Sequence, residues 1–422
     1  MYFFYFYPLG LDRDVNRTPV VTRLLTAVML VVFLWAQYRE NLFSVWPWDL
    51  AFYPGGGAPW TALTAIFLHG GWLHLAGNLI YLNVFGPPLE DRLGSGLFLA
   101  VFLIMGTAGN LVHAIDSAWG LIGRHGVGVM GASGALAGLL ALSLLRLYRA
   151  RVRVGYWVFA PLMGQNRAGQ AHLPVLAGAG LWLVLQVVHA LVAGETGAGV
   201  SYGAHLGGFM SGLTLGLGLG LLKAARRENC QIAAREYFAT GQFYAAAGAW
   251  TEYLGFNPED LEGQLGRARC RRLLDQPHQA LRDYRSVLGR LQVERQVDQL
   301  LDVFAECRRA ELTRHLPADL LTAVAAWMEK KMDYEGALAV YRDLYESYPE
   351  SSSGQRALVR LVHLYHGKLA DEQEAARWLA IACRKLPGGS WREYLAREFN
   401  AATGPGAGDR EGHREPLPTA TP

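Results

Sequence analysis

The first half of the chain alternates long apolar stretches with short polar connections. Crossing a lipid bilayer takes about 20 apolar helical residues, and four stretches meet this need: Val20–Gln37, Leu97–His113, Leu173–Ala193 and Tyr202–Leu222. Two further stretches, Trp72–Phe85 and Ser133–Tyr148, are more polar or shorter, as spans around a hydrated site often are. The pattern therefore predicts six membrane-spanning helices.

The charge pattern changes sharply after Leu222. No lysine precedes Lys223, although 18% of the 422 residues are charged. We predict an all-α protein with a cytoplasmic segment at 1–19, a six-helix membrane domain at 20–224, a soluble helical domain at 229–397 and a disordered tail at 398–422. The net charge of +3 and the lack of a basic stripe give no reason to expect a nucleic-acid partner.

The distribution of charge also predicts the orientation. Basic residues mark cytoplasmic loops, and five arginines surround the connection after the fourth span: Arg146, Arg149, Arg151, Arg153 and Arg167. The connection after the fifth span carries Glu195 and no basic residue. All four cysteines lie in the charged half without metal-ligand spacing, which suits a reducing compartment. We expect a multi-pass protein of a bacterial inner (plasma) membrane, with its N-terminus and its charged half in the cytoplasm.

Polar side chains of three predicted spans fall at a similar depth beneath the outer face. His74 and Asn78 lie near the start of the second span, Ser133 opens the fourth, and His205 lies just inside the sixth. Because His74 and Asn78 are one helical turn apart, both can point at a single oxygen atom. A serine at a helix N-terminus also has backbone N–H groups at hand that can stabilise an oxyanion.

Small residues predict that the fourth and sixth spans pack closely. They recur at every fourth position of the sixth span: Ala204, Gly208, Gly212, Gly216 and Gly220. The fourth span offers Gly134 and Gly138 for the same contact, and such faces let two helices approach closely. This packing would bring His205 within hydrogen-bonding distance of the Ser133 hydroxyl, as an activated nucleophile requires.

Each of these features has a simpler explanation when taken alone. Gly-Ala-Ser-Gly in a membrane helix is more often a packing motif, a single intramembrane histidine is more often structural, and His74 with Asn78 could hydrogen-bond to a neighbouring helix. Their common depth favours a catalytic site. A transporter with histidine proton relays would need acidic partners within the spans, where the sequence has none.

The motifs resemble those of the rhomboid intramembrane serine proteases over roughly residues 8–224. Gly131-Ala132-Ser133-Gly134 matches the GxSG motif of that family, and the stretch from Ala204 to Gly212 matches AHxxGxxxG. His69, His74 and Asn78 follow the pattern HxxxxHxxxN. Two positions depart from common family members: Thr61 stands where many have arginine, and Ala137 where some have a tyrosine that stacks on the histidine.

The resemblance implies a site and a reaction. Ser133 would be the nucleophile and His205 the base, and His74, Asn78 and the Ser133 backbone N–H would line the oxyanion hole. The implied activity is cleavage of transmembrane segments of other proteins near the outer face through an acyl-enzyme, without a cofactor or metal. Two alternatives remain open, a catalytically silent rhomboid-like scaffold that binds membrane helices and a membrane-tethered repeat scaffold with a vestigial protease half.

The charged half resembles tetratricopeptide repeats. Ala246, Trp250 and Leu254 follow Gly241-Gln242-Phe243, and equivalent residues recur 34 residues later, the period of this repeat. The equivalent residues in the later copies are Ala280, Tyr284 and Leu288, then Ala337 and Tyr341, then Ala375, Leu379 and Cys383. Irregular spacing leaves three to five repeats open, and a generic helical domain is the alternative. Stacked helical hairpins of this kind imply a cytoplasmic protein or peptide partner.

Overall fold

The computed structural model describes residues 3–43, 47–119, 128–160, 165–192 and 201–385, together with Leu395 and Arg397. The chain divides into two compact units, Met1–Asn229 and Cys230–Pro422. Helices predominate in both units, which confirms the all-α class. The predicted disordered tail at 398–422 lies outside the described residues.

Every predicted membrane span coincides with a helix of the first unit. Its helices are α1 (Val20–Phe43), α2 (Thr61–Thr64), α3 (Trp72–Leu93), α4 (Ser95–Trp119), α5 (Ser133–Arg146), α6 (Val175–Val192), α7 (Tyr202–Gly218) and the start of α8 (Leu221–Ala239). The sixth predicted span is shorter than expected because the chain turns at Gly220, whose φ of +67° suits glycine. Between α7 and α8 the chain bends by 65°.

The lengths and compositions of these helices suit a bilayer. Within the described residues, α1 and α4 are long and apolar enough to cross alone. Two bent pairs, Thr61–Phe67 with α3 and α7 with α8, qualify if each is one span, while α5 and α6 are shorter apolar helices. Large apolar side chains such as Leu34, Ile104 and Leu181 are exposed on these helices, and a lipid surround would cover them.

A small antiparallel sheet joins the predicted cytoplasmic segment at 1–19 to the arginine-rich connection after the fourth predicted span. Its strands are β1 (Phe3–Leu11), β2 (Arg151–Ala160) and β3 (Gln165–Pro174), in the order β1-β2-β3. Leu11 pairs with Val152, and Arg151 pairs with Pro174. The arginine-rich connection is therefore mostly a β-hairpin, and α6 begins at Val175, two residues later than predicted.

Helices α5 and α7 pack almost backbone to backbone. A Cβ atom on Gly208 would lie 2.0 Å from the Gly134 carbonyl oxygen, and one on Gly212 would lie 2.4 Å from that of Gly138. Only glycine leaves room for such an approach. The small-residue faces read from the sequence thus meet as predicted.

A buried carboxylate fixes the start of α1 against α3. Glu90 of α3 accepts hydrogen bonds from the backbone N–H groups of Val21 and Thr22, at 2.9 and 2.8 Å. It also accepts bonds from the Thr22 and Ser95 hydroxyls, both at 2.7 Å. Because the first N–H groups of a helix have no partner within the helix, this arrangement satisfies two of them without water.

The second unit consists of paired helices. After the end of α8 come α9 (Phe243–Phe256), α10 (Leu261–Leu273), α11 (Pro277–Val293), α12 (Val297–Arg309), α13 (Ala318–Lys330), α14 (Tyr334–Ser347), α15 (Ser352–Gly367) and α16 (Glu372–Lys385). Most of the residues identified as repeat positions lie on the buried faces of α9, α11, α14 and α16, although Leu379 and Cys383 of the weakest copy are only partly buried. Helix α12 is an additional helix between the second and third copies, which lengthens the interval between these two copies.

Charged side chains connect neighbouring helices of this unit. Arg267 of α10 donates to the Asp283 carboxylate of α11 at 2.7 and 3.0 Å. Arg269 donates to Glu306 of α12, which also accepts a bond from the Tyr284 hydroxyl. Asp283 is buried, and a buried charge is tolerated only when it is paired, so its contact with Arg267 holds α10 beside α11.

Candidate active site

Ser133 is the first residue of α5, and the preceding loop holds it in place. Gly131 has a φ of +118°, and its backbone N–H donates to the Ala65 carbonyl oxygen at 2.8 Å. A Cβ atom on Gly131 would lie 2.7 Å from the His74 ring. Glycine is thus required here both by its backbone angle and by the closeness of His74.

The structure brings Ser133 and His205 together. The Ser133 Oγ and the His205 Nε2 lie 2.8 Å apart, which is normal hydrogen-bond length for such a pair. His205 lies in the first turn of α7, where the Ser201 side chain accepts a bond from the Ala204 N–H. The glycine contact between α5 and α7 sets this distance, because it fixes the separation of the two helices.

On the side of the His205 ring away from Ser133, the ring contacts α6. The His205 Nδ1 lies 2.8 Å from the Gln186 Oε1. The Trp182 ring lies one turn earlier on the same helix, with its centroid 6.2 Å from that of His205, and it stacks on Phe209 at 6.0 Å. Trp182 thus lies beside the His205 ring. Ala137 stands at the position where some rhomboids carry a tyrosine that stacks on the histidine.

His74 and Asn78 stand beside the serine, on α3. Both line the same cavity as Ser133 and His205. Asn78 is buried, and its Nδ2 has no hydrogen-bond partner among the described residues. An unpaired buried N–H donor is costly in a folded protein. Its place next to Ser133 would suit a donor that is satisfied by a transient oxyanion.

The cavity has a volume of about 250 Å³. Besides the four polar side chains, its walls include Leu73, Gly77, Tyr81, Leu136, Ala137, Leu140 and Trp182. It therefore combines apolar walls with a few convergent polar groups, as binding sites usually do.

Sequence reasoning placed four of the site residues together but missed others. His69 is 1% exposed, and its ring centroid lies 5.2 Å from that of His74. Gln186 and Trp182 lie within a predicted apolar span. The one feature of the sequence that could have pointed to them is a single glutamine at membrane depth. Among the described residues, no group of His, Cys, Asp and Glu could hold a metal ion.

Comparison with known proteins finds a family match within the first unit. Residues 56–221 match the family described as Rhomboid domain. The chain is 43% identical over 84 residues to Rhomboid-like protein 11, chloroplastic, of Arabidopsis thaliana, an alignment that covers 20% of this chain and 28% of that protein. It is 27% identical over 200 residues to Putative rhomboid protease YdcA of Bacillus subtilis, covering 47% and 86% respectively.

These matches place a rhomboid domain in the first unit, and the chain is an integral membrane protein. The chain spans only 28% of the length of the Arabidopsis relative. Among solved structures, the P58(IPK) TPR domain is similar at 13% identity, with 74% of this chain and 84% of that chain covered and a TM-score of 0.19.

Proposed function

We propose that this protein is an intramembrane serine endopeptidase in which Ser133 is the nucleophile and His205 the general base. The observation that carries the proposal is the 2.8 Å contact between the two side chains, at a cavity that also holds the unpaired Asn78 amide. A nucleophile, a base and an oxyanion donor around one cavity are the parts that acyl transfer needs.

In the first half of the proposed reaction, the Ser133 Oγ attacks a peptide carbonyl carbon while its proton passes to the His205 Nε2. The carbonyl oxygen becomes an oxyanion, to which Asn78, His74 and the Ser133 backbone N–H donate. The C–N bond then breaks, and His205 returns the proton to the departing amine nitrogen. The product is an ester on Ser133 and a released peptide with a free amine.

Water completes the reaction. His205 accepts a proton from a water molecule as the water oxygen attacks the ester carbon. The proton then passes to the Ser133 Oγ as the ester bond breaks, which restores the hydroxyl and releases a carboxylic acid. No cofactor or metal takes part in these steps.

The proposed substrates are transmembrane segments of other proteins, cut near the outer face. The site lies where α3, α5 and α7 begin, and all three starts would face outward in the predicted orientation. A substrate helix must unwind locally before it can present a carbonyl group, since its backbone groups are otherwise paired. The proposed location of the protein is a bacterial inner membrane, with the N-terminus and the second unit on its cytoplasmic side. There the second unit binds a protein or peptide, which in-cell cross-linking would identify.

The experiment combines active-site labelling with cleavage. The purified protein is treated with a fluorophosphonate probe and, separately, with a reporter membrane protein carrying one transmembrane helix. We expect labelling and cleavage by the unaltered chain, and a loss of both in Ser133→Ala and in His205→Ala, because the nucleophile or its base is missing.

The matched control is Ser143→Ala. Ser143 lies buried on the same helix, where its hydroxyl donates to the Leu139 carbonyl oxygen at 2.8 Å, and its loss should leave labelling and cleavage intact. Cleavage by the Ser133→Ala variant would overturn the proposal. An unaltered chain that binds transmembrane helices but neither reacts with the probe nor cleaves would support the silent scaffold instead.

A further inference from the structure

The second ring nitrogen of His205 has a specific partner. A histidine can act as a base at Nε2 only when its proton sits on Nδ1, and the group beside Nδ1 decides which tautomer prevails. In this chain that group is the Gln186 side-chain oxygen, at 2.8 Å. Gln186 comes from α6, whereas Ser133 and His205 come from α5 and α7, so three helices meet around one ring.

The amide of Gln186 is oriented for this role. With Oε1 facing the ring, it can only accept, which requires a hydrogen on Nδ1 and leaves Nε2 free to accept from Ser133. The reverse orientation would turn an NH₂ group toward Nδ1. Nε2 would then carry the hydrogen, and the histidine could not take the serine proton.

We propose that Gln186 is a positioning residue that completes a Ser133–His205–Gln186 triad. The inference rests on the proposed function of the dyad. Gln186 holds the His205 ring in the base tautomer and directs its carbonyl dipole at the positive charge that appears when His205 takes the proton. In serine proteases with a triad, a carboxylate has this position.

A neutral amide suits this position in a membrane protein. A buried carboxylate far from water is costly to ionise, whereas a glutamine side chain can accept a hydrogen bond without carrying a charge. Trp182, one turn away, contacts the ring from the same helix. Helix α6 thus supplies both contacts that hold the ring, at a site where Ala137 has no side chain long enough to do so.

Gln186 differs from Trp182 in one useful respect. Trp182 is part of the wall of the substrate cavity, whereas Gln186 is not. Loss of the Gln186 acceptor should therefore slow the chemical step with little effect on substrate binding. Loss of Trp182 should change both. Measuring kcat and KM separately therefore distinguishes a residue that positions the base from a residue that shapes the cavity.

The test compares Gln186→Leu, which removes the acceptor but keeps the size, with Gln186→Glu, which keeps an acceptor oxygen. We expect Gln186→Leu to lower kcat and the fluorophosphonate labelling rate by about 10- to 100-fold with KM nearly unchanged, since a general base contributes on the order of 100-fold or more. Gln186→Glu should recover more activity than Gln186→Leu.

Val184→Ala serves as the control on α6, because Val184 is 57% exposed and does not line the cavity. Thermal unfolding in detergent confirms that each variant is folded. Unchanged kcat and labelling rate in a folded Gln186→Leu variant would overturn the triad and leave the dyad standing. Absence of labelling in the unaltered chain would instead overturn the proposed function itself, so the two failures are distinguishable.

Discussion

Asn78 combines burial with an unused donor. It is 6% exposed, and its Nδ2 has no hydrogen-bond partner in the described part of the chain. Leaving such a group unpaired costs about 1 to 3 kcal/mol. An unpaired donor with this energetic cost is explained more readily by a role in the reaction than by a role in the resting structure. The unused donor is consistent with the oxyanion role proposed for Asn78.

The variant Asn78→Ala tests this assignment. We expect kcat to fall about 100- to 1000-fold, the usual effect of losing one oxyanion donor, whereas thermal stability should hold or rise slightly, because a buried unpaired group is removed. Steady-state cleavage of the reporter protein measures the first, and an unfolding scan the second.

Asn83→Ala is the control for this variant. Asn83 lies on the same helix, and its amide already donates to the Leu79 carbonyl oxygen and the Thr26 hydroxyl. Its loss should leave kcat unchanged. Equal activity of Asn78→Ala and the unaltered chain would mean that other groups stabilise the oxyanion.

Among single residues, the sequence made Ser133, His205, His74 and Asn78 recognisable because they belong to short motifs with fixed spacing. Gln186 belongs to no motif and lies in a stretch read only for its hydropathy. Its role depends on the rotation of α6 about its own axis, which places position 186 against His205. An apolar span with little periodicity does not reveal that rotation.

At the scale of elements, the contact between α5 and α7 holds Ser133 and His205 together. Gly208 faces the Gly134 carbonyl so closely that a methyl group has no space. We expect Gly208→Ala to separate the helices, abolish cleavage and lower the free energy of unfolding by about 1 to 3 kcal/mol, as overpacking usually does. Thermal unfolding and the reporter assay measure the two effects.

Gly218→Ala provides the comparison on the same helix. A Cβ atom there would meet no other atom within 4 Å, so alanine should be tolerated and should raise helix stability by up to about 1 kcal/mol. If Gly208→Ala retained full activity, the close approach of the two backbones would not be what sets the distance between serine and histidine.

Helices were predicted better than strands. Their apolar runs gave the position of every span, with errors of a few residues at the ends. The hairpin β2–β3 was missed because its arginines were read only for their charge, although Arg151-Val152-Arg153-Val154 alternates as a strand does. The pairing of β1 with β2 joins residues far apart in the chain, which no local pattern reveals.

At the scale of the whole molecule, the reactivity of the cysteines in the second unit can test both the folding of that unit and the orientation of the protein in the membrane. Burial raises the pKa of the Cys270 thiol to about 11, and burial with the nearby Glu306 carboxylate raises that of Cys307 to about 12. Cys383 is only half-buried. Since only the thiolate reacts readily, Cys270 and Cys307 should be nearly inert in the folded protein at neutral pH.

We therefore expect a membrane-impermeant maleimide to label Cys383 in inverted membrane vesicles but not in intact cells. Cys270 and Cys307 should react only after denaturation, as peptide mass spectrometry would show. Labelling of Cys383 from outside intact cells would contradict the proposed cytoplasmic location. Rapid labelling of Cys270 in native vesicles would contradict the packing of α10.

The sheet has a consequence for how the protein is made. Leu11 pairs with Val152, so β1 leaves the ribosome first and its partner follows only after α1 through α5 have been synthesised. At about 5 to 20 residues per second, β1 waits roughly seven to thirty seconds for β2. The sheet can therefore form only after α5, the helix that begins with Ser133, has been synthesised. Pairing of β1 thus takes place late in the assembly of the membrane domain.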